Sequence, residues 1–194
     1  MRRQRFVNLN AHYGLTNKLA GTHSFLSPSK PAWVNYEDDK LDRVWSASQA
    51  SKLGQALHDY AHRAIVLKQR QPENGKTLSL YVNDAIGFRM TPEQLLFYSE
   101  NCYGHADCVC FRNNTLRIHD LKTGHNEASM AQLEIYAALF CLEYDMRPFE
   151  IGIELRIYQS NEVKVYSPDP DKIFHIMEKI KYLDKRLNEL KKED

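Results

Sequence analysis

No apolar run in the chain approaches the ~20 residues that a membrane-spanning helix needs, and the opening MRRQRFVNLN lacks the hydrophobic segment of a signal peptide. A cytoplasmic protein with no membrane partner is the expectation. An excess of either charge is missing as well, since 26 Lys and Arg stand against 25 Asp and Glu for a formal net charge of +1. A nucleic-acid surface would therefore have to be a local patch. Cysteine is sparse: Cys102, Cys108, Cys110 and Cys141, with no CxxC pair. Zinc held by Cys108, Cys110 and His105 or His119 would lack the usual spacing, and reduced, mostly buried thiols are the better reading.

What the chain does have is concentrated between Gly104 and Tyr136, GHADCVCFRNNTLRIHDLKTGHNEASMAQLEIY. Ala106 to Phe111 and Thr115 to Leu121 are runs rich in Val, Ile, Leu and Phe on either side of Asn113-Asn114. This predicts a β-hairpin, because Asn tolerates the positive φ of tight turns. Period-2 alternation groups Asp107 with Val109 and Phe111, and Asp120 and Lys122 with Leu116 and Ile118. A helix predicted over 127–144 carries Gln132 and Tyr136 one turn apart. Two carboxylates, a lysine and a polar helix face thus converge on one end of a small sheet. Carboxylate oxygens are hard ligands for Mg²⁺ or Mn²⁺, so the pattern suits phosphodiester hydrolysis. Lys122 would orient a water or stabilise the transition state.

The ordered set Gly-x-x-Asp, strand, Asp-x-Lys-Thr-Gly, helix, Gln-x-x-x-Tyr resembles the PD-(D/E)XK nuclease superfamily, in its RecB-like branch. That branch includes the CRISPR adaptation nucleases and many small phage nucleases. It places a metal-binding His in an upstream Gly-x-x-x-His helix, a pattern that Gly54 to His58 fits. The resemblance spans roughly residues 46–158. It implies an α/β, restriction-endonuclease-like core, a central mixed sheet flanked by helices. It further implies catalytic Asp107, Asp120 and Lys122; metal ligands His58, Asp107, Asp120 and the Leu121 carbonyl; and substrate-binding Gln132 and Tyr136, which could instead position Lys122, with Tyr136 packing in the core as the plainer alternative. The cofactor would be Mg²⁺ or Mn²⁺. Some members hold an iron-sulfur cluster with a C-terminal group of three cysteines, but no Cys follows Cys141, so no cluster is expected. The implied activity is DNA hydrolysis leaving a 5′-phosphate, with phage-type exonuclease action on ends favoured in recombination, replication or repair. The competing reading is a non-catalytic or partner-dependent DNA-binding module that keeps the fold.

The rest of the chain is arranged around that stretch. At 194 residues one globular domain is expected overall, with residues 1–45 as an extension packed on a nuclease domain of 46–194. In the extension, Lys30, Trp33 and Tyr36 either line a path for single-stranded DNA or, as the commoner case, pack against the domain. Ser46 to Gln69 reads as a helix capped by Ser46 or Ser48, burying Ala50, Leu53, Leu57, Tyr60 or Ala61, and Ala64. Thr77 to Ile86 reads as a second helix closed by Gly87. A strand follows from about Gln94 to Asn101, flanked by Glu93 and Glu100, which are possible extra acidic groups, with a solvated role favoured for each. Strands are predicted over 149–158 and 163–166, then a helix opened by Asp169-Pro170. Ile173, Ile176, Ile180, Leu183, Leu187 and Leu190 approach heptad spacing in it; packing across the sheet is favoured over a homo-oligomer interface.

Overall fold

The computed structural model describes residues 24–124 and 126–193. Within them the protein is α/β, with a five-stranded mixed sheet flanked by helices. The chain divides into two compact units, Met1–Ser48 and Gln49–Asp194. In the first unit, residues 1–23 of the expected extension lie outside the described residues. A 3-10 turn spans Pro31–Asn35, Trp33 Nε1 donates to the Ser27 carbonyl at 2.9 Å, and Phe25 meets Trp45 edge-on with ring centroids 5.1 Å apart.

Helix α1, Asp38–Val66, starts eight residues before the expected Ser46. Asp38 and Asp39 fall in its first turn, where the helix dipole favours negative charge, so Ser46 and Ser48 sit inside the helix instead of capping it. Its buried stripe is Gly54, Ala61, Ala64 and Ile65; Ala50, Leu53 and Tyr60 are exposed. The small residues let the helix lie close to the sheet. Helix α2, Thr77–Gly87, ends differently from the expectation as well: Gly87 is its last residue, and Arg89 takes the left-handed turn with φ 55°. The Met90 amide closes that turn on the Ala85 carbonyl at 2.9 Å.

The strands run β1 (Thr91–Ser99), β2 (Cys102–Arg112) and β3 (Thr115–Leu121), then β4 (Gly152–Gln159) and β5 (Glu162–Tyr166). Neighbours in the sheet follow chain order. All pairs are antiparallel except β3 with β4, which the crossover helix α3 (Ala131–Glu143) connects. The expected hairpin forms, and Asn113 and Asn114 both have positive φ, 50° and 56°. Helix α3 begins later than the expected 127 because Gln159 occupies the preceding loop. Its side chain donates to the carbonyls of Gly124 and Asn126 and accepts from the Ala128 amide. Strand β4 begins at Gly152 rather than 149 because Pro148–Glu150 forms a 3-10 turn.

Two apolar layers result. Ala61, Ala64, Tyr81, Val82 and Ala85 of α1 and α2 pack against Cys108, Cys110, Leu121 and Tyr158. On the opposite face, Leu133, Ala137 and Phe140 of α3 pack with Leu116, Ile118, Ile153, Leu155 and Ile157. Helix α4, Pro170–Glu193, joins that second layer through Ile173, Met177 and Ile180, with Asp169 Oδ1 accepting from the Asp171 amide at its start. Leu183, Leu187 and Leu190 remain more than 40% exposed, so only the first half of the heptad pattern packs on the sheet. A 24-residue helix is ~36 Å long, whereas five strands span only ~20 Å between the outermost strand axes. The cysteines are free, and burial pushes the Cys108 thiol up to about 12 beside the Tyr81 hydroxyl, which donates to its sulfur at 3.2 Å. No helix among the described residues is long and apolar enough to cross a membrane.

Candidate metal centre

The hairpin turn acts as a mirror. In the β2–β3 ladder Cys108 pairs with His119, and one step further the register brings Asp107 level with Asp120. The β1–β2 ladder pairs Pro92 with Cys108 and Gln94 with Ala106, which brings Glu93 level with Asp107. Three carboxylates therefore form a row across three neighbouring strands, an arrangement in which like charges repel. At the same level the backbone is irregular: Glu93 has φ 51°, unusual for a non-glycine residue inside a strand.

Helix α1 brings His58 to this row. Single donor atoms of His58, Glu93 and Asp107 all lie within 4.8 Å of one another, and His58 Nδ1 is 3.5 Å from Asp107 Oδ2. That same carboxylate oxygen accepts the Leu121 amide at 2.8 Å, which fixes the Asp107 side chain against the end of β3. Burial pushes the Asp107 carboxyl up to about 6, and the neighbouring Asp120 charge adds to the rise. The Leu121 amide and His58 pull it only partly back. Asp120 is 3% exposed and lies close enough to Asp107 for its charge to act on it. Its Oδ1 accepts a hydrogen bond from Lys122 Nζ at 3.1 Å. Its Oδ2 is buried with no hydrogen bond of its own, although Lys122 Nζ lies 2.9 Å away as an ion-pair contact.

Lys122 sits just past β3 and is held from the other side by α3. Its Nζ donates to Gln132 Oε1 at 3.0 Å, Gln132 Nε2 donates to the Tyr136 hydroxyl at 3.3 Å, and that hydroxyl donates to the His105 carbonyl at 2.6 Å. A hydrogen-bonded relay thus ties the Asp-x-Lys segment to α3 and back to β2. Two glycines leave room for it. A Cβ on Gly104 would lie 2.9 Å from Tyr136 Cε1, and one on Gly54 would lie 2.8 Å from Thr123 Oγ1. Gly54, four residues before His58, lets the hydroxyl of Thr123 press against α1.

All seven residues expected at the site, His58, Asp107, Asp120, Leu121, Lys122, Gln132 and Tyr136, are linked in this network. Glu93, a possible extra acidic group for which the sequence favours a solvated role, is exposed as expected; the sequence did not place it beside His58 and Asp107, where it also stands. Reflection of Asp107 through the turn at residue 100 would have found it, as reflection through Asn113-Asn114 finds Asp120. The donor set of one imidazole and several carboxylates fits a hard divalent cation. Searches of family models, curated proteins and solved structures found no match to the chain.

Proposed function

We propose that the protein is a divalent-metal-dependent nuclease that hydrolyses DNA phosphodiester bonds, a RecB-like member of the PD-(D/E)XK superfamily with exonuclease action on ends favoured. The row of Glu93, Asp107 and Asp120, with donor atoms of His58, Glu93 and Asp107 within 4.8 Å of one another and Lys122 beside Asp120, carries this reading. Negative charge collected at a sheet end without enough fixed positive charge is an unfavourable arrangement that a cation would correct.

His58, Asp107 and Asp120 would hold Mg²⁺ or Mn²⁺, with the Leu121 carbonyl and Glu93 as further donors. A bound divalent ion supplies charge neutralisation at a phosphate and a lowered pKa for water. Lys122 Nζ, fixed between Asp120 and Gln132, would keep its positive charge beside the reacting phosphate and orient the attacking water. Gln132 and Tyr136 hold that ammonium in place and present polar groups to the strand. The Leu121 amide keeps the Asp107 carboxylate aimed while its other oxygen remains available to the cation.

The test uses end-labelled linear single-stranded, linear double-stranded and circular DNA, each with Mn²⁺, Mg²⁺ or EDTA, beside Lys122→Ala and Asp120→Ala proteins. Metal-dependent loss of linear DNA that disappears in both variants supports the proposal. Cutting of circles would make the enzyme an endonuclease. Absence of cleavage together with absence of Mn²⁺-dependent thermal stabilisation would refute it.

A further inference from the structure

The two halves of helix α4 treat their apolar residues differently. Ile173, Met177 and Ile180 are buried on the sheet, whereas Leu183, Leu187 and Leu190 are 44%, 42% and 41% exposed. The second half is nevertheless fastened to the domain. Asn101, in the β1–β2 turn, donates to Asp184 Oδ1 at 2.8 Å and to Asn188 Oδ1 at 2.9 Å. Ser99 Oγ also donates to Asp184, and Lys191 Nζ donates to Asn101 Oδ1. A polar edge, Asp184, Asn188 and Lys191, thus holds the helix in place and leaves the leucines beside it in solvent.

One exposed leucine calls for no explanation, but three at spacings of i, i+4 and i+7 make a continuous stripe. At 3.6 residues per turn this stripe is roughly 60° wide. That is the narrow seam of a coiled coil, which takes the knobs of one more helix. A face that lies on lipid is broader and carries Trp or Phe, and this stripe holds neither.

Charge selects the kind of helix. Lys179 and Arg186, one heptad apart, flank the stripe on the side away from the β1–β2 turn, and both are exposed. Glu189 lies 3.3 Å from Arg186, an exposed pair of small energetic weight. On the other flank the Asp184 carboxylate is already taken by Ser99 and Asn101. A second copy laid antiparallel over the leucines would bring Arg186 close to its own counterpart, an arrangement that like charges oppose. A helix with glutamates beside its apolar seam would instead complement both cations.

We infer that the second half of α4 is a docking seam for an acidic amphipathic helix of a partner protein. Leu183, Leu187 and Leu190 receive its apolar face, and Lys179 and Arg186 receive its carboxylates. The inference goes beyond the nuclease reading and does not depend on it.

The experiment uses the full chain and a fluorescein-labelled synthetic peptide of about three heptads, with Leu at a and d and Glu at e and g, followed by fluorescence anisotropy. A matched peptide carries Lys at e and g. The Glu peptide should bind at least about fivefold more tightly than the Lys peptide. Leu183→Gln with Leu187→Gln, exposed changes that keep helix propensity, should weaken its binding by at least about tenfold. Lys179→Glu with Arg186→Glu should invert the preference between the two peptides. Equal binding of both peptides, or Glu-peptide affinity unchanged by the glutamine pair, would overturn the inference. So would concentration-dependent dimers in analytical ultracentrifugation that the glutamine pair abolishes, since they would give the seam to a second copy. The charge-reversed protein keeps its leucines, so its readout stands even if the glutamine pair misfolds.

Discussion

Two clusters of charge lie on the same small sheet and are built on opposite plans. On the α2 side, Asp84 accepts from Arg156 Nη1 at 2.9 Å and from the Tyr158 hydroxyl at 2.7 Å. Glu154 receives Arg156 at 3.0 Å and faces Arg117 at 3.3 Å, and both guanidiniums lie over the Phe88 ring at 4.8–4.9 Å. Two acids meet two bases, and the cluster is electrically closed. At the other end of the strands, three acids, Glu93, Asp107 and Asp120, face one lysine and one imidazole. A closed cluster fastens the fold. An open one leaves charge for something to bind.

The comparison is broken most forcefully by removing the fixed cation of the open cluster. Lys122→Ala should reduce metal-dependent cleavage per folded molecule by ~10²–10³-fold under single-turnover conditions, and because it strands the buried Asp120 it should also lower the urea midpoint. A variant that retains activity within a few fold would place the chemistry elsewhere. The matching change in the closed cluster is Arg156→Ala, which strands Asp84 beside Tyr158 and should cost about 2 kcal/mol in urea unfolding, less than a fully buried pair because Asp84 is partly exposed. Its cleavage rate per folded molecule should stay near wild type. If cleavage per folded molecule fell in Arg156→Ala and not in Lys122→Ala, the division of labour between the clusters would be wrong.

Acid sharpens the contrast, because the two regions respond to pH with opposite sign. His119, buried against Phe88 and Tyr158, is pushed down to about 3 by burial and by Arg156 and Arg117. Its folded pKa lies below the unfolded value of ~6.5, so its contribution is complete above pH ~6.5 and is lost as the pH falls towards 3. Asp107 behaves the other way. Its folded value of about 6 exceeds the usual 3.8, so without metal its contribution is present below pH ~4 and disappears as the pH rises through 6. A cation needs the ionised carboxylate, so the Mn²⁺-induced rise in Tm should be larger at pH 7.5 than at pH 5. Asp107→Asn should abolish that rise without lowering the metal-free Tm at pH 7.5. Differential scanning fluorimetry across pH 5–8 checks both, and an equal Mn²⁺ shift at the two ends would count against metal binding at Asp107.

The smallest expected effect comes from Gly54→Ala. Helix propensity gains about 1 kcal/mol, but the new methyl must displace the Thr123 hydroxyl. Stability should change by less than about 1 kcal/mol and the cleavage rate should fall a few fold, measured by urea melts and initial rates. A large loss of stability would mean that Thr123 cannot give way.

Much of this was legible in the chain. The alternating runs around Asn113-Asn114 specify the hairpin because turn chemistry and period agree, and the hairpin fixes which residues share a level. Gln132 and Tyr136 follow from helical spacing. Harder to read were element boundaries set by distant partners. The side chain of Gln159 decides where α3 begins, and Asp38-Asp39 extend α1 beyond the serines that look like caps. The level of Glu93 in the sheet was hidden because Pro92 and a left-handed backbone interrupt the alternation that would have marked it. The balanced cluster went unnoticed for a related reason. Asp84, Glu154, Arg117 and Arg156 are ordinary surface residue types in sequence, and only the packing of α2 over the sheet brings them together.

The expected site residues also differ in how far the chain must travel to assemble them. Everything from Glu93 to Tyr136 belongs to consecutive strands and the first crossover helix, so these groups come together through short loop closures. His58 alone arrives from a remote helix. In refolding, the carboxylate row would assemble with the hairpins, mutually repelling until α1 docks, and a divalent ion present from the start would draw the histidine in. The imidazole would then act as a latch on the order of assembly as well as a donor, tying the arrival of α1 to the filling of the proposed site.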